Sequence, residues 1–358
     1  MARITYPARH LGAHGPTVSA IGYGAMTIGG TYYGQVNEDQ ALQALTYAAD
    51  RGLTFWDTSD AYGPSEAIIG KWVGTTGRRS EIFLATKFGA VDQTPGVANP
   101  YKQNSKPSYM RRQVENSLKA LCTDYVDLYY QHRVDPEVPI EVVMETLRPY
   151  LQAGRIRYIG LCECSIEVLK RAKSVAGVGE KIIAVQMEVS PFDLEVVRSG
   201  FLDAARELGV GIVAYSPLGR GACEGLITGR YKSQQDFAPD DVRQMMPRFS
   251  DKNFPKNLQL VEKFRAVGGK YNATAAQMAL AWMVTTYPDI VPIPGTKDIY
   301  RLEENAKSAE IKLDMEDLKE LNDAVHAADV AGARYPPEYA SVFNDTCIRL
   351  DAWQVDFE

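Results

Sequence analysis

Phe55-Trp56-Asp57-Thr58-Ser59-Asp60-Ala61-Tyr62-Gly63 is the stretch on which the reading of the chain turns. It continues an apolar run from Leu53, becomes polar at Asp57, and leads into a helix-like segment at Ser65. That pattern predicts a β-strand whose carboxyl end delivers an acid and a phenol into a cleft. Two later segments have the same shape. Ile82–Lys87 is apolar until it ends on Lys87, and Val126–His132 ends on His132.

Working outward from these three strands, helix-like periodicity fills the intervals. Asn37 or Asp39 caps a helix to Arg51 with Ala41, Leu42, Leu45 and Ala48 on one face. Further helices are predicted over 65–73, from Pro107 or Ser108 through Leu121, and over 140–152, 166–175 and 194–208. Later ones cover about 257–268, 274–286, 299–308 and 315–326. Strands are predicted at 18–23, 125–130, 156–161, 182–186, 210–215 and 290–293. Strand then helix repeats eight times, which calls for a parallel sheet. The expected fold is α/β: a (β/α)8 TIM barrel with an N-terminal β-hairpin, two long loops (88–106 and 219–256) and a C-terminal tail. The chain reads as a single domain, with the barrel core at about 17–325 and the tail at 326–358. An open doubly wound sheet is the structural rival. Gly22-Tyr23-Gly24 has the first two glycines of a dinucleotide fingerprint but not the third, since Thr27 stands there. It reads instead as a close backbone approach after a strand.

Bulk properties narrow the function. The 358 residues are 45% hydrophobic and 23% charged, with a net charge of −6. A mildly acidic chain without a long Lys/Arg run points away from nucleic acid. The longest apolar stretch, around 275–284, is too short to span a bilayer, so no membrane partner is expected. Five cysteines without a C-x-x-C and only four histidines give no zinc framework, so no metal is expected. Thiols read as reduced and an N-terminus without the apolar core of a signal peptide make the cytoplasm the expected location.

The strand-end residues make sense together. Tyrosine is a weak acid with a pKa near ~10. A lysine cation beside it would lower that value, and a carboxylate would hold the lysine charged. A neutral imidazole nearby can donate to a carbonyl oxygen. Asp57, Lys87, Tyr62 and His132 therefore suit protonation of a carbonyl, with Tyr62 an unusually acidic donor. No side chain donates hydride, so a cofactor must. Pro292-Ile293-Pro294-Gly295-Thr296-Lys297 leads into a helix, and Gly295 lets backbone approach a phosphate. Lys297 and Arg301, read on one helical face, suit the extra phosphate of NADP. Tyr215 carries a flat ring of the kind that stacks on a nicotinamide, although by itself the segment reads as a strand end followed by an ordinary turn.

These segments resemble the aldo-keto reductase superfamily. The matching residues are Trp56–Gly63, Ala85–Gly89, Tyr130–Arg133, Gln186, Ala214–Gly221 and Ile293–Asn305, in the family's order. They look closest to the microbial, fungal and plant branch related to potassium-channel β subunits. The resemblance implies bound NADP(H) and reduction of an aldehyde or ketone, with Asp57, Tyr62, Lys87 and His132 catalytic. It implies nicotinamide contacts at Cys162, Glu163, Gln186 and Tyr215. It implies pyrophosphate and adenosine contacts at Ser216, Leu218, Gly219, Arg220, Lys297, Arg301, Glu304 and Asn305. Cys162-Glu163 stands where many members carry Ser-Asn or Ser-Glu. Two other functions compete: an NADPH-sensing non-catalytic subunit, and a barrel lyase or isomerase using Lys87 as a Schiff base. The expected substrate is a small carbonyl compound. Tyr23, Tyr32, Tyr33, Phe88 and Trp56 suggest an aromatic-lined mouth suited to aromatic or terpenoid-like ones.

Overall fold

The structure is a computed structural model describing residues 6–30, 37–219, 231, 233–237, 241–337 and 344–354. β1 (Ala8–His10) and β2 (Thr17–Ser19) form an antiparallel hairpin. Eight parallel strands follow in chain order: β3 (Tyr23–Gly24), β4 (Phe55–Asp57), β5 (Phe83–Phe88), β6 (Val126–Gln131), β7 (Ile156–Cys162), β8 (Ile182–Glu188), β9 (Gly211–Tyr215) and β10 (Ile290–Pro292). The ring closes through Gly22 and Gly24. Gly22 N–H donates to Pro292 O at 2.9 Å and Gly24 N–H to Pro294 O at 3.2 Å. A Cβ on Gly24 would sit 2.6 Å from Ile293 O, so a side chain there would hold the seam open. The pair is thus a close backbone approach that makes the sheet a barrel.

The expected strand over 18–23 divides in two. Thr17–Ser19 pairs with β1, and only Tyr23–Gly24 joins the barrel. The chain bends at Ala20 and Ile21, so the two halves lie in different sheets. The hairpin closes the amino end of the barrel. Arg9 donates to the carbonyls of Val284, Tyr287 and Ile290 at 3.0, 3.2 and 2.7 Å. Leu11 and Val18 pack into the barrel interior with Phe55, Ala85, Leu128 and Val213. Burying a side chain such as Leu11 stabilises by ~1.5–3 kcal/mol.

Strand periodicity sorts the remaining apolar residues. Phe55, Ala85 and Leu128 point inward, while Trp56, Leu84 and Tyr129 belong to the layer between sheet and helices. That layer is completed by α1 (Glu38–Arg51), α2 (Ser65–Thr76), α3 (Pro107–Ala120), α4 (Ile140–Gln152) and α5 (Ile166–Lys173). Asn37 caps α1, accepting from Gln40 N–H. The helix expected over 194–208 breaks into α6 (Glu195–Arg198) and α7 (Phe201–Glu207), because Gly200 takes φ +77 between them. α8 (Phe254–Lys270), α9 (Ala275–Thr286), α10 (Ile299–Lys307) and α11 (Met315–Ala327) finish the set. Beyond α11 the chain returns over the carboxyl rim. Ile348 N–H donates to Pro136 O, and Ser165 N–H to Asp345 O. Among the described residues no helix is long and apolar enough to cross a membrane.

Candidate active site

Asp57 is the last residue of β4, and Lys87 is the fifth of the six in β5. Parallel pairing of the two strands brings them together at the carboxyl end of the barrel. Lys87 is fully buried, and its ammonium donates to Asp57 Oδ1 at 2.5 Å, Thr58 O at 2.8 Å and Tyr62 Oη at 3.4 Å. An ammonium has three hydrogens, and all three are used. Asp57 Oδ2 accepts from Gln186 Nε2 at 2.8 Å. Burial raises the Asp57 carboxyl above its ordinary value, while Lys87 and Gln186 limit the rise.

Tyr62 departs from expectation. Lys87 does pull its phenol down, but burial outweighs that pull and the group is pushed up to about 12. The phenol is therefore neutral at neutral pH and not unusually acidic. Because Lys87 donates to the phenol oxygen, the hydroxyl proton of Tyr62 is left for another acceptor. His132 lies beside it, ring centroids 5.6 Å apart and edge to face. Burial, then Lys87 and Arg133, hold the imidazole well below its ordinary value, so it is neutral. Its Nδ1 lies 3.0 Å from Ser59 Oγ.

Asp57, Tyr62 and Gln186 line one cleft with Tyr215, Ser216 and Leu218. Gly24, Met26, Thr27 and Gly295 form another part of its wall. Thr27 Oγ1 is buried without a hydrogen-bond partner, as is Glu304 Oε1. Unpaired buried polar atoms are costly unless something meets them. Ser216 and Glu163 take φ +49 although neither is glycine, a strain of ~1–3 kcal/mol each that clusters at functional sites. Gly219 follows at φ +72. Cys162 is buried and its thiol is pushed up to about 12 by burial, which makes it unreactive. Glu163 Oε1 accepts from Glu188 N–H at 2.9 Å, and Oε2 from Arg334 at 2.8 Å.

The expected phosphate site needs correction. Asp298 is the N-cap of α10, accepting from Tyr300 N–H at 2.8 Å, so Lys297 precedes the helix and does not share a face with Arg301. Arg301 pairs with Glu304 at 2.7 Å, and Asn305 is buried beside it in α10. The cations at this end of α10 are Lys297 and Arg301, while Asp298 occupies the Tyr300 N–H. The acceptor Glu304 Oε1 suits a hydroxyl or amine. Cationic groups, orphaned acceptors and a flat Tyr215 ring together fit a phosphorylated dinucleotide.

The aromatic mouth is also corrected where it is described. Tyr23, Trp56 and Phe88 are buried in the layer between sheet and helices. Phe88 stacks on Tyr129, and Tyr23 donates to Thr296 O at 2.7 Å. Strand alternation turns them away from the cleft. Tyr32, Tyr33 and Arg220 lie outside the described residues. Sequence reasoning missed Thr27, Ser59, Asp60 and Arg334. Ser59 and Asp60 stand inside the same 55–63 stretch as Asp57 and Tyr62, whereas Arg334 is 171 residues from its partner Glu163 and carries no local signal.

Comparison with known proteins finds a match to the model described as Aldo/keto reductase family over residues 20–326. The chain is 45% identical over 348 residues to Aldo-keto reductase yakc (NADP(+)) of Schizosaccharomyces pombe, covering 96% of this chain and 98% of that protein. It is 43% identical over 335 residues to Aldo-keto reductase str7 of Strobilurus tenacellus, covering 92% and 94%. The crystal structure of a thermostable aldo-keto reductase, Tm1743, with the inhibitor epalrestat superposes with a TM-score of 0.69 at 27% identity, covering 89% of this chain and 99% of that one.

Proposed function

The chain belongs to the aldo/keto reductase family, and from that premise we propose that it reduces a small aldehyde or ketone to the alcohol with NADPH, Tyr62 giving the proton. NADPH, when bound, supplies the hydride. Thr27, Gln186 and Tyr215 would hold its nicotinamide, and Ser216, Leu218, Gly219, Lys297, Arg301, Glu304 and Asn305 its pyrophosphate and adenosine. The observation that carries the reading is the use of all three Lys87 hydrogens on Asp57, Thr58 and Tyr62. It leaves the phenol proton for a substrate oxygen, and it keeps positive charge beside the oxygen that loses that proton. A Tyr62 held up to about 12 still gives a proton readily to an alkoxide, a far stronger base. His132, being neutral, orients the carbonyl.

The same arrangement speaks against Schiff-base chemistry. Lys87 is held protonated by Asp57, and an ammonium has no lone pair for attack. We assign the protein to the cytoplasm, where Cys122, Cys162, Cys164 and Cys347, all unpaired, suit a reducing milieu. The test is loss of nicotinamide absorbance with a simple aromatic aldehyde, run with NADPH and NADH. Turnover with preference for NADPH is expected, and tight NADPH binding without turnover would favour the sensing subunit instead. Tyr62→Phe should lower kcat by ~10²–10⁴-fold. Full activity in that variant would remove Tyr62 from the acid's place.

A further inference from the structure

Behind His132 lies a chain of hydrogen bonds that the reaction above does not use. His132 Nδ1 is 3.0 Å from Ser59 Oγ, which is 3.1 Å from Asp60 Oδ1 and also accepts Ala61 N–H at 3.1 Å. Gln113 Nε2 donates to Asp60 Oδ2 at 3.1 Å. The Gln113 amide cannot be turned round without loss, because its Oε1 accepts from Asn116 Nδ2 at 2.8 Å.

We propose that Asp60 is a positioning residue: through Ser59 it selects which nitrogen of His132 carries the proton, and so whether the imidazole offers the substrate a donor or an acceptor. The proposal rests on the reductase reading for its functional meaning.

The two states follow from counting hydrogens. As a carboxylate, Asp60 only accepts, so Ser59 donates to Oδ1. The Ser59 oxygen then accepts from Ala61 N–H and from His132 Nδ1–H, leaving Nε2 a lone pair. As an acid, Asp60 carries its proton on Oδ1, since Oδ2 takes the Gln113 N–H. That proton goes to Ser59 Oγ, whose lone pairs are then both filled. Ser59 must donate to His132 Nδ1, and the ring proton sits on Nε2. Interconversion balances. One proton enters at Nε2, the Nδ1 proton passes to Ser59, and the Ser59 proton passes to Asp60. The donor state suits carbonyl reduction and the acceptor state suits alcohol oxidation.

The surroundings of Asp60 place this exchange in the working range. Glu66 on α2, Tyr109 on α3 and Tyr129 on β6 face the carboxyl, His132 reaches it only through Ser59, and the Lys87 ammonium on β5 is committed to Asp57. Burial, then the charge of Glu66, push Asp60 up to about 8.

The test is histidine side-chain 15N NMR of the full chain, which has only four histidines, with His132→Gln to assign the signal. His132 should be the Nε2–H tautomer about a unit below the Asp60 midpoint and Nδ1–H about a unit above it. In Asp60→Asn, Gln113 holds the amide oxygen, the amide NH₂ faces Ser59, and Nε2–H should persist at every pH. The reduction rate, falling ~10-fold across that interval in the wild type, should then stay flat. If Asp60→Asn does not fold, Ser59→Ala cuts the relay and should equally abolish the pH-dependent tautomer change. A wild-type tautomer constant from pH ~6 to ~10, or a variant titrating like the wild type, overturns the proposal. The NMR readout needs neither cofactor nor turnover, so failure of the reductase reading shows separately as absent NADPH consumption.

Discussion

Asp57 and Asp127 are both barrel-strand aspartates, 2% and 3% exposed, and each is bonded to a basic side chain. Asp127 lies near the start of β6, at the end of the barrel closed by the hairpin. It accepts from Arg79 at 2.7 Å, Arg157 at 2.8 Å and Leu84 N–H at 2.9 Å. Arg79 also donates to Ile82 O and Tyr125 O, which ties β5 to β6. Every partner there is structural. Asp57 lies at the opposite end, and its lysine gives one hydrogen to Tyr62, which lines a cleft. Residue type does not separate the two aspartates; the end of the barrel and the third partner do. Backbone strain follows the same division. Glu163 and Ser216 hold positive φ at strand ends beside the cleft, while Cys122 and Asn272 do so just after helices, where that conformation commonly ends them.

Substitutions can break this comparison. The largest effect is expected for Lys87→Met, which leaves Asp57 buried without its cation. It should cost ~3–5 kcal/mol of stability and lower kcat by ~10²–10⁴-fold, read by denaturant unfolding and steady-state assay. Retained activity would detach the pair from chemistry. Asp127→Asn should cost ~3 kcal/mol because Arg79 loses its counter-charge, yet leave kcat/KM within about threefold below the unfolding transition. A large loss of kcat there would erase the contrast between the two ends. The smallest effect is expected for Thr27→Val. Removing an unpaired buried hydroxyl should leave Tm unchanged or raised. NADPH affinity should weaken ~3–10-fold by titration, the worth of one hydrogen bond of ~1 kcal/mol.

Much of this was legible along the chain because it depends on local pattern. Asp57, Lys87 and His132 each end a strand-like run, and eight parallel strands then bring such ends to one rim. Helix limits such as Ile140–Gln152 matched the periodicity, since caps and apolar spacing act over a few residues. The division of 18–23 was not legible, because only the partners of each half distinguish a hairpin strand from a barrel strand. The placing of Tyr23, Trp56 and Phe88 at the mouth failed for a related reason: a run of residues does not tell which face of a strand the cleft occupies.

What the sequence determined by itself was the order of elements and the kinds of side chain placed at strand ends, since propensity and alternation are short-range. Tertiary structure alone decided the acidity of Tyr62, the bonds of Lys87, the pairing of Arg334 with Glu163, and the Asp60–Ser59–His132 relay. Those depend on distances between distant segments and on exclusion of water, and at Tyr62 burial outweighed the pull of the neighbouring charge.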